Sequence, residues 1–99
     1  MSTAEPGAAQ DETILVRYWA SARAAAGTPE DRVPATGAIS LAELRERVLG
    51  MHPQADRLAD VLAICSALVG DAPVGSADPA EVVVRPGDRV EFLPPFAGG

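Results

Sequence analysis

The sequence predicts an α+β domain in which a mixed sheet of about five strands carries one main helix packed across it. Residues Thr13 to Trp19 and Val90 to Leu93 alternate apolar and polar side chains, the period of two that half-buried strands show. Ser40-Leu41-Ala42-Glu43 opens a stretch whose apolar residues recur at spacings of three and four, the pattern of an amphipathic helix. Turn residues, Gly70-Asp71 and Pro86-Gly87-Asp88 among them, divide the remaining apolar runs into lengths that suit strands.

Met1 to Glu12 is small, polar and interrupted by Pro6-Gly7, so a disordered leader is expected there and the domain proper from 13 to 99, with a flexible tail over 94–99. In the first strand Ile14, Val16 and Tyr18 share one face, and Leu15, Arg17 and Trp19 the other. Ala20 to Ala26 is alanine-rich and meets Gly27 where a helix takes a left-handed residue, which predicts a short helix over one edge of the sheet. Thr28 to Pro34 holds a brief strand around Arg32-Val33, hairpin-like with the first.

Ser40 and Glu43 form a capping box, Ser40 serving free amides and Glu43 reaching back. Leu41, Leu44, Val48 and Met51 then make the apolar stripe of the main helix, ended by Gly50 and Pro53, and Leu58, Val61 and Leu62 continue the core through a second short helical segment. Ala63 to Val69 reads as a buried central strand and Ala72 to Val74 as an edge strand marked by Pro73. Glu81 to Val84 is a further short strand before the last one.

Ninety-nine residues, 47% hydrophobic and 22% charged, bury one core. The net charge is −6, and all eight basic residues are arginine. Such an acidic balance argues against nucleic acid and anionic membrane, and suits a basic protein partner. No apolar stretch is long enough to span a bilayer, and Met1 to Glu12 has neither the basic start nor the apolar run of a signal peptide. A single cysteine excludes an internal disulfide and fits the reducing cytoplasm.

Candidate chemistry is sparse. Cys65 lies in an apolar run with no neighbouring histidine or base, so it reads as a structural thiol. His52 precedes Pro53 and reads as a surface cap, with no metal cluster or catalytic pair around it. Phosphate-binding glycine loops and paired-cysteine zinc spacings are absent, so no metal and no bound cofactor are expected.

What remains is the end of the chain, Val90-Glu91-Phe92-Leu93-Pro94-Pro95-Phe96-Ala97-Gly98-Gly99. Two prolines cannot donate to a sheet ladder, so the strand stops there. They also favour a stiff, extended path that loses little entropy on entering a pocket. The six residues from Pro94 reach about 20 Å, and two glycines leave no Cβ beside the carboxyl. At average glycine usage a Gly-Gly ending arises by chance in roughly one chain in 200. Joined directly to a strand by a diproline, it reads as a carboxyl shaped to be threaded into another protein.

Gly87-Asp88-Arg89-Val90, Leu93, Pro94-Pro95 and Gly98-Gly99 resemble the C-terminal end of the MoaD/ThiS family of ubiquitin-like, β-grasp sulfur carriers. Tyr18-Trp19-Ala20, Arg23 and Gly27 are similar to that family's first strand and the helix and turn after it, so the resemblance spans roughly residues 14–99. It implies the β-grasp strand order, with the first and last strands parallel, and a chain that is a carrier subunit with the catalytic groups on its partners. Gly99 would be the working residue, its carboxyl adenylated with ATP by a MoeB-like enzyme and converted to a thiocarboxylate by a sulfurtransferase donor. Pro94, Pro95, Phe96, Ala97 and Gly98 would be the inserted tail, entering the large subunit of molybdopterin synthase (MoaE-like) within a heterotetramer. Phe92, Leu93 and Phe96, more apolar than an exposed strand and tail require, would be buried at that interface. A carrier for thiamin or cysteine synthesis, or a ubiquitin-like modifier joined to lysines, would use the same activated glycine. The diproline and the lack of any basic residue after Arg89 favour the molybdopterin pathway.

Overall fold

Strand β1, Thr13–Tyr18, buries Ile14, Val16 and Tyr18 and turns Leu15 and Arg17 outward, as its alternation requires. The computed structural model describes residues 12–95. Helix α1 (Ala20–Ala26) follows at once, then β2 (Glu30–Pro34), β3 (Ile39–Ser40), α2 (Leu41–Met51), α3 (Leu58–Ile64), β4 (Ser66–Val69), β5 (Ala72–Pro73), β6 (Val83–Val84) and β7 (Arg89–Leu93). The main sheet has the order β2-β1-β7-β4-β5, and β3 and β6 form a separate two-stranded ribbon. Strands β1 and β7 run parallel, Leu15 opposite Arg89 through Tyr18 opposite Phe92. The other pairs in both sheets are antiparallel.

The helices supply one wall of the core: Ala22 and Ala26 from α1, Leu41, Leu44 and Val48 from α2, and Leu58 and Leu62 from α3. The sheet supplies the other, through Ile14, Val16, Tyr18, Val33, Ala67, Val90 and Phe92. Leu15, Arg17, Arg89, Glu91 and Leu93, on the alternate positions, form a second, uncovered face.

Local signals explain the boundaries. Gly27 closes α1 at φ +78°, its amide donating to the Arg23 carbonyl. Ser40 Oγ accepts the Glu43 amide, one half of a capping box. The expected reciprocal half is missing, because the Glu43 carboxylate accepts from Arg47 Nε at 3.0 Å instead.

Several expectations need correction. Gly50 lies inside α2, which ends at Met51 with His52 as its cap, where Pro53 disfavours helical backbone in the residue before it. Met51 is 41% exposed at the helix end, beyond the edge of the core. The run 63–69 is not one strand: Ala63 and Ile64 finish α3, with Ile64 62% exposed, and β4 starts at Ser66. The helical spacing of Leu58, Val61 and Leu62 carries the helix past the point where apolar composition suggested a strand. The central strand is β7, not β4. The strand expected over Glu81–Val84 shrinks to β6 and pairs with β3, outside the main sheet. Glu12 belongs to the folded domain, since its carbonyl accepts the Ala35 amide at 2.8 Å; the rest of the expected leader lies outside the described residues.

Ala20, the first residue of α1, has φ +48°, the only positive φ among the described residues that is not at glycine. An L side chain is strained there, and glycine is not. Ala20→Gly is expected to raise stability by about 1 kcal/mol, read as a Tm increase of about 4–8 °C for a domain of this size.

Candidate functional site at the root of the tail

Strand β7 lies between β1 and β4, so the chain that leaves it at Leu93 starts from the middle of the sheet. The last ladder pair toward β4 is Leu93 with Ser66, and toward β1 the Trp19 amide donates to the Phe92 carbonyl at 3.2 Å. Pro94 follows and is buried; Pro95 is exposed. The inward–outward alternation of Val90, Glu91, Phe92 and Leu93 thus runs on through the diproline. Phe96, Ala97, Gly98 and Gly99 lie outside the described residues.

Phe92 must be reassigned from the partner interface to the core. It has no exposed surface, and its ring stacks on Tyr18 with centroids 6.5 Å apart and planes 15° from parallel. The period of two that made β7 recognisable sends positions 90 and 92 toward the helices. Leu93, of opposite parity, is half-exposed and stays available to a partner. Pro94, expected as the first residue of the tail, is packed against the domain, so the projecting segment begins at Pro95. Leu93, Pro94 and Pro95 line an apolar groove of about 350 Å³ with Ser66, Leu68 and Pro73.

The uncovered face beside this groove carries Trp19, 43% exposed. Its Nε1 donates to Glu91 Oε1 at 2.9 Å, and the Arg17 guanidinium lies 5.7 Å from its ring centroid. Glu91 also accepts from Arg89 Nε at 3.0 Å, and Arg89 Nη2 reaches Asp71 Oδ1 at 3.0 Å. A rigidly held aromatic side chain therefore stands next to the root of the tail. Trp19, part of the family resemblance, is not among the site residues the sequence singles out. The usable signal was its parity with Leu15 and Arg17, opposite the face of Ile14, Val16 and Tyr18.

Two further residues differ from expectation. His52 is not a solitary cap: its Nε2 lies 2.5 Å from Asp31 Oδ2, and Tyr18 donates its hydroxyl to the same oxygen at 2.8 Å. Burial, then the hydrogen bond to Asp31 and that carboxylate's charge, push the Tyr18 pKa far above its usual value, so the phenol remains a neutral donor. Cys65 caps α3 and is half-buried; burial pushes its thiol up to about 11, against a smaller opposing effect of Arg45, a basic neighbour that only the fold brings near. Among the described residues no group of three or more His, Cys, Asp or Glu could hold a metal, and no helix is long and apolar enough to cross a membrane.

A helix-backed mixed sheet with parallel first and last strands, and a tail issuing from the central strand, defines the β-grasp class of small ubiquitin-like proteins. Solved structures agree on that fold. SAMP1 from Haloferax volcanii is similar with a TM-score of 0.70 at 21% identity, covering 88% of this chain and 99% of its own. A putative molybdopterin converting factor, subunit 1, from Pyrococcus furiosus gives 0.67 at 20% identity, covering 85% and 98%. The sequence pattern of the ThiS family matches residues 16–99, and the chain belongs to that family. It is 31% identical over 87 residues to the molybdopterin synthase sulfur carrier subunit of Aspergillus niger, covering 88% of this chain and 94% of that one.

Two predictions follow from these placements. Phe92→Ala is expected to cost about 3–5 kcal/mol in denaturant unfolding, as a large buried ring does, whereas Trp19→Ala leaves the transition midpoint nearly unchanged. Because its pKa is raised, Cys65 forms thiolate only as pH climbs through about 11. Its alkylation at pH 8 should be about two orders of magnitude slower than that of an ordinary exposed cysteine, and rise tenfold per pH unit below that value. A rate already on its plateau at pH 9 would refute this.

Proposed function

We propose that this chain is a sulfur carrier of the molybdopterin synthase type, with the Gly99 carboxyl as its working group. The observation that carries the reading is the match over 88% of the chain to a molybdopterin synthase sulfur carrier subunit, beside a family match over residues 16–99 that takes in Pro94-Pro95 and Gly98-Gly99. The chain's own residues supply support and direction for the tail. The activating chemistry comes from outside.

A terminal carboxylate ordinarily titrates near 3.5, so at neutral pH it is an anion and a poor acyl donor. Attack of that carboxylate on the α-phosphate of ATP, on a MoeB-like enzyme, releases pyrophosphate and leaves an acyl adenylate. The persulfide of a sulfurtransferase donor attacks the acyl carbon and displaces AMP. A thiol then cleaves the resulting acyl disulfide, leaving the thiocarboxylate and an oxidised disulfide on the donor side. In the large synthase subunit, the thiocarboxylate sulfur then passes to a cyclic pyranopterin as part of the dithiolene, and the carbonyl carbon returns to carboxylate with oxygen from water. Five residues from Pro95 to Gly99 span about 17 Å at full extension, enough to reach a recessed centre.

The docking face in this reading is the uncovered side of the sheet. Trp19 and Leu93 flank the tail root there, and exposed aromatic residues of this kind are common anchors of protein interfaces. Phe96 would follow the tail into the partner. The reducing cytoplasm suits both a thiocarboxylate and the free Cys65. A ubiquitin-like modifier would use the same glycine, but its tail usually carries basic residues, and none follows Arg89.

Incubation with a MoeB-like enzyme, ATP and a sulfur donor should add the mass of one oxygen-to-sulfur exchange at Gly99, equally in Cys65→Ser. Removing Gly99 shortens the reach by about 3.5 Å, and adding one residue displaces the carboxyl; misplacement of 1 Å can cost about 100-fold. Both variants should fail to form molybdopterin with the large subunit while melting as the native chain does. Deleting residues 2–11 should leave transfer intact. Robust activity without Gly99 would overturn the carrier reading.

A further inference from the structure

Asp31 occupies the helix-covered side of β2, the same side as the buried Val33, where a carboxylate needs partners. It has two. The Tyr18 hydroxyl donates to Oδ2 at 2.8 Å, and His52 Nε2 meets the same oxygen at 2.5 Å, with the Asp31 and His52 side chains only 15% and 18% exposed. The three residues come from β1, β2 and the end of α2. None of them touches the groove beside the tail.

The cluster nevertheless acts on the tail root through one ring. Tyr18 is held at its hydroxyl by Asp31 and edge-on by the His52 ring, with centroids 6.4 Å apart and planes at 82°. On its other side Tyr18 stacks on Phe92, its register partner across the parallel pair. Phe92 is the last inward side chain before the diproline, and its carbonyl accepts the final rung from Trp19. Neither Pro94 nor Pro95 can donate to a ladder, since both lack the amide. The direction taken by the chain beyond Leu93 is therefore set by how Phe92 and Pro94 are seated.

We propose that Asp31 and His52 are positioning residues for the C-terminal tail, acting through Tyr18 and Phe92. The proposal rests on the carrier reading for its consequence, and on the geometry alone for its cause. Phe92 is the last inward side chain held by the ladder, and the two prolines after it hold the backbone extended without donating hydrogen bonds. A change in how Phe92 is seated therefore changes the direction in which the chain leaves at Pro95. Misplacement of about 1 Å at a reacting group can cost about 100-fold. The root of the tail thus needs a firm seat. The Asp31 carboxylate provides one, because it ties the phenol to β2 and to the end of α2, neither of which lines the groove at Pro94 and Pro95.

Two measurements test this, on the full chain at temperatures well below each variant's Tm. The first needs no partner. Amide hydrogen exchange at Trp19, the last rung to Phe92, should be at least tenfold faster in Asp31→Asn and in Tyr18→Phe, while Val74 at the far edge of the sheet exchanges as in the native chain. No change at Trp19, or an equal change at Val74, would overturn the proposal, whichever pathway the protein serves.

The second is sulfur transfer from the thiocarboxylated chain to cyclic pyranopterin on the large synthase subunit, with rate at saturation separated from half-saturating carrier concentration. Asp31→Asn and His52→Ala should lower the saturated rate at least fivefold and shift half-saturation less than twofold. His52→Gln, which keeps a side-chain N–H, should recover at least half the native rate. A native-like saturated rate in Asp31→Asn, with only its Tm reduced, would show a merely structural cluster and overturn the proposal. A native chain inactive in the same assay would count against the carrier reading, and the exchange measurement would still decide the role of Asp31 and His52.

Discussion

The parallel pairing of β1 with β7 is the contact on which the rest of the structure depends. It joins the first strand to the last, and a parallel pair requires a crossover between its members. Here the crossover is nearly the whole domain, because every helix and every other strand lies between them in sequence. Closing so long a loop costs entropy before any contact forms. The compensation is the shared burial of Ile14, Val16, Tyr18, Val90 and Phe92, inward side chains of two adjacent strands under one helical layer. The same pairing, together with β4 on the other side, makes β7 a central strand. A tail that leaves from the centre starts at the part of a sheet least given to local opening.

Charge on the uncovered face is arranged differently from charge on the molecule as a whole. Arg17 lies near Glu30, Glu91 bridges Trp19 and Arg89, and Arg89 reaches Asp71. Exposed pairs of this kind contribute about 0–1 kcal/mol each, so their effect on stability is small. Their effect on the surface is larger. Each acid in this strip is met by an arginine, so the net charge of −6 is carried mainly elsewhere. A nearly neutral strip with a fixed indole, bordered by Leu93 and the groove at Pro95, has the low density of unpaired charge and the Trp and Arg content that protein interfaces favour. The remaining acidic surface can steer a basic partner from a distance without having to be desolvated on contact.

Local signals carried much of the fold into the sequence. The alternation of β1 and β7, the Ser40 cap, the left-handed Gly27 and the turns at Gly70 and Gly87 all depend on neighbours a few residues away, and each appears where those neighbours demand it. What was lost depends on tertiary context. Periodicity shows that Phe92 and Leu93 face opposite ways, but not which way leads to the core. That is decided by the helices lying over one side of β7. Residues 63–69 satisfy both a helix and a strand, and the packing of Leu58 and Leu62 settles the division at Cys65. His52 and Asp31 carry no motif linking them, and Asp31 meets Tyr18 and His52 only because β2 pairs with β1 and α2 ends above them. The β3–β6 ribbon is too short for any period to show. The candidate site divided along the same line: the tail and its diproline were legible as composition, whereas Trp19 and the groove had to be assembled from separate segments.

The diproline is where these requirements meet. Pro94 keeps the inward parity of β7 and is buried, and Pro95 keeps the outward parity and is exposed. The strand's direction is thus continued for two residues after its hydrogen bonds have ended. Most residues at this position would leave an amide with no ladder partner, and would let the backbone leave the extended region at little cost. Proline has no amide to satisfy, and its ring holds φ near the extended value. It also restricts the residue before it, so Pro95 fixes Pro94 and Pro94 fixes Leu93 in turn. Orientation set by the packed core at Phe92 is in this way handed outward by covalent stiffness, without a partner strand. A glycine pair at the same point would surrender that orientation within one residue.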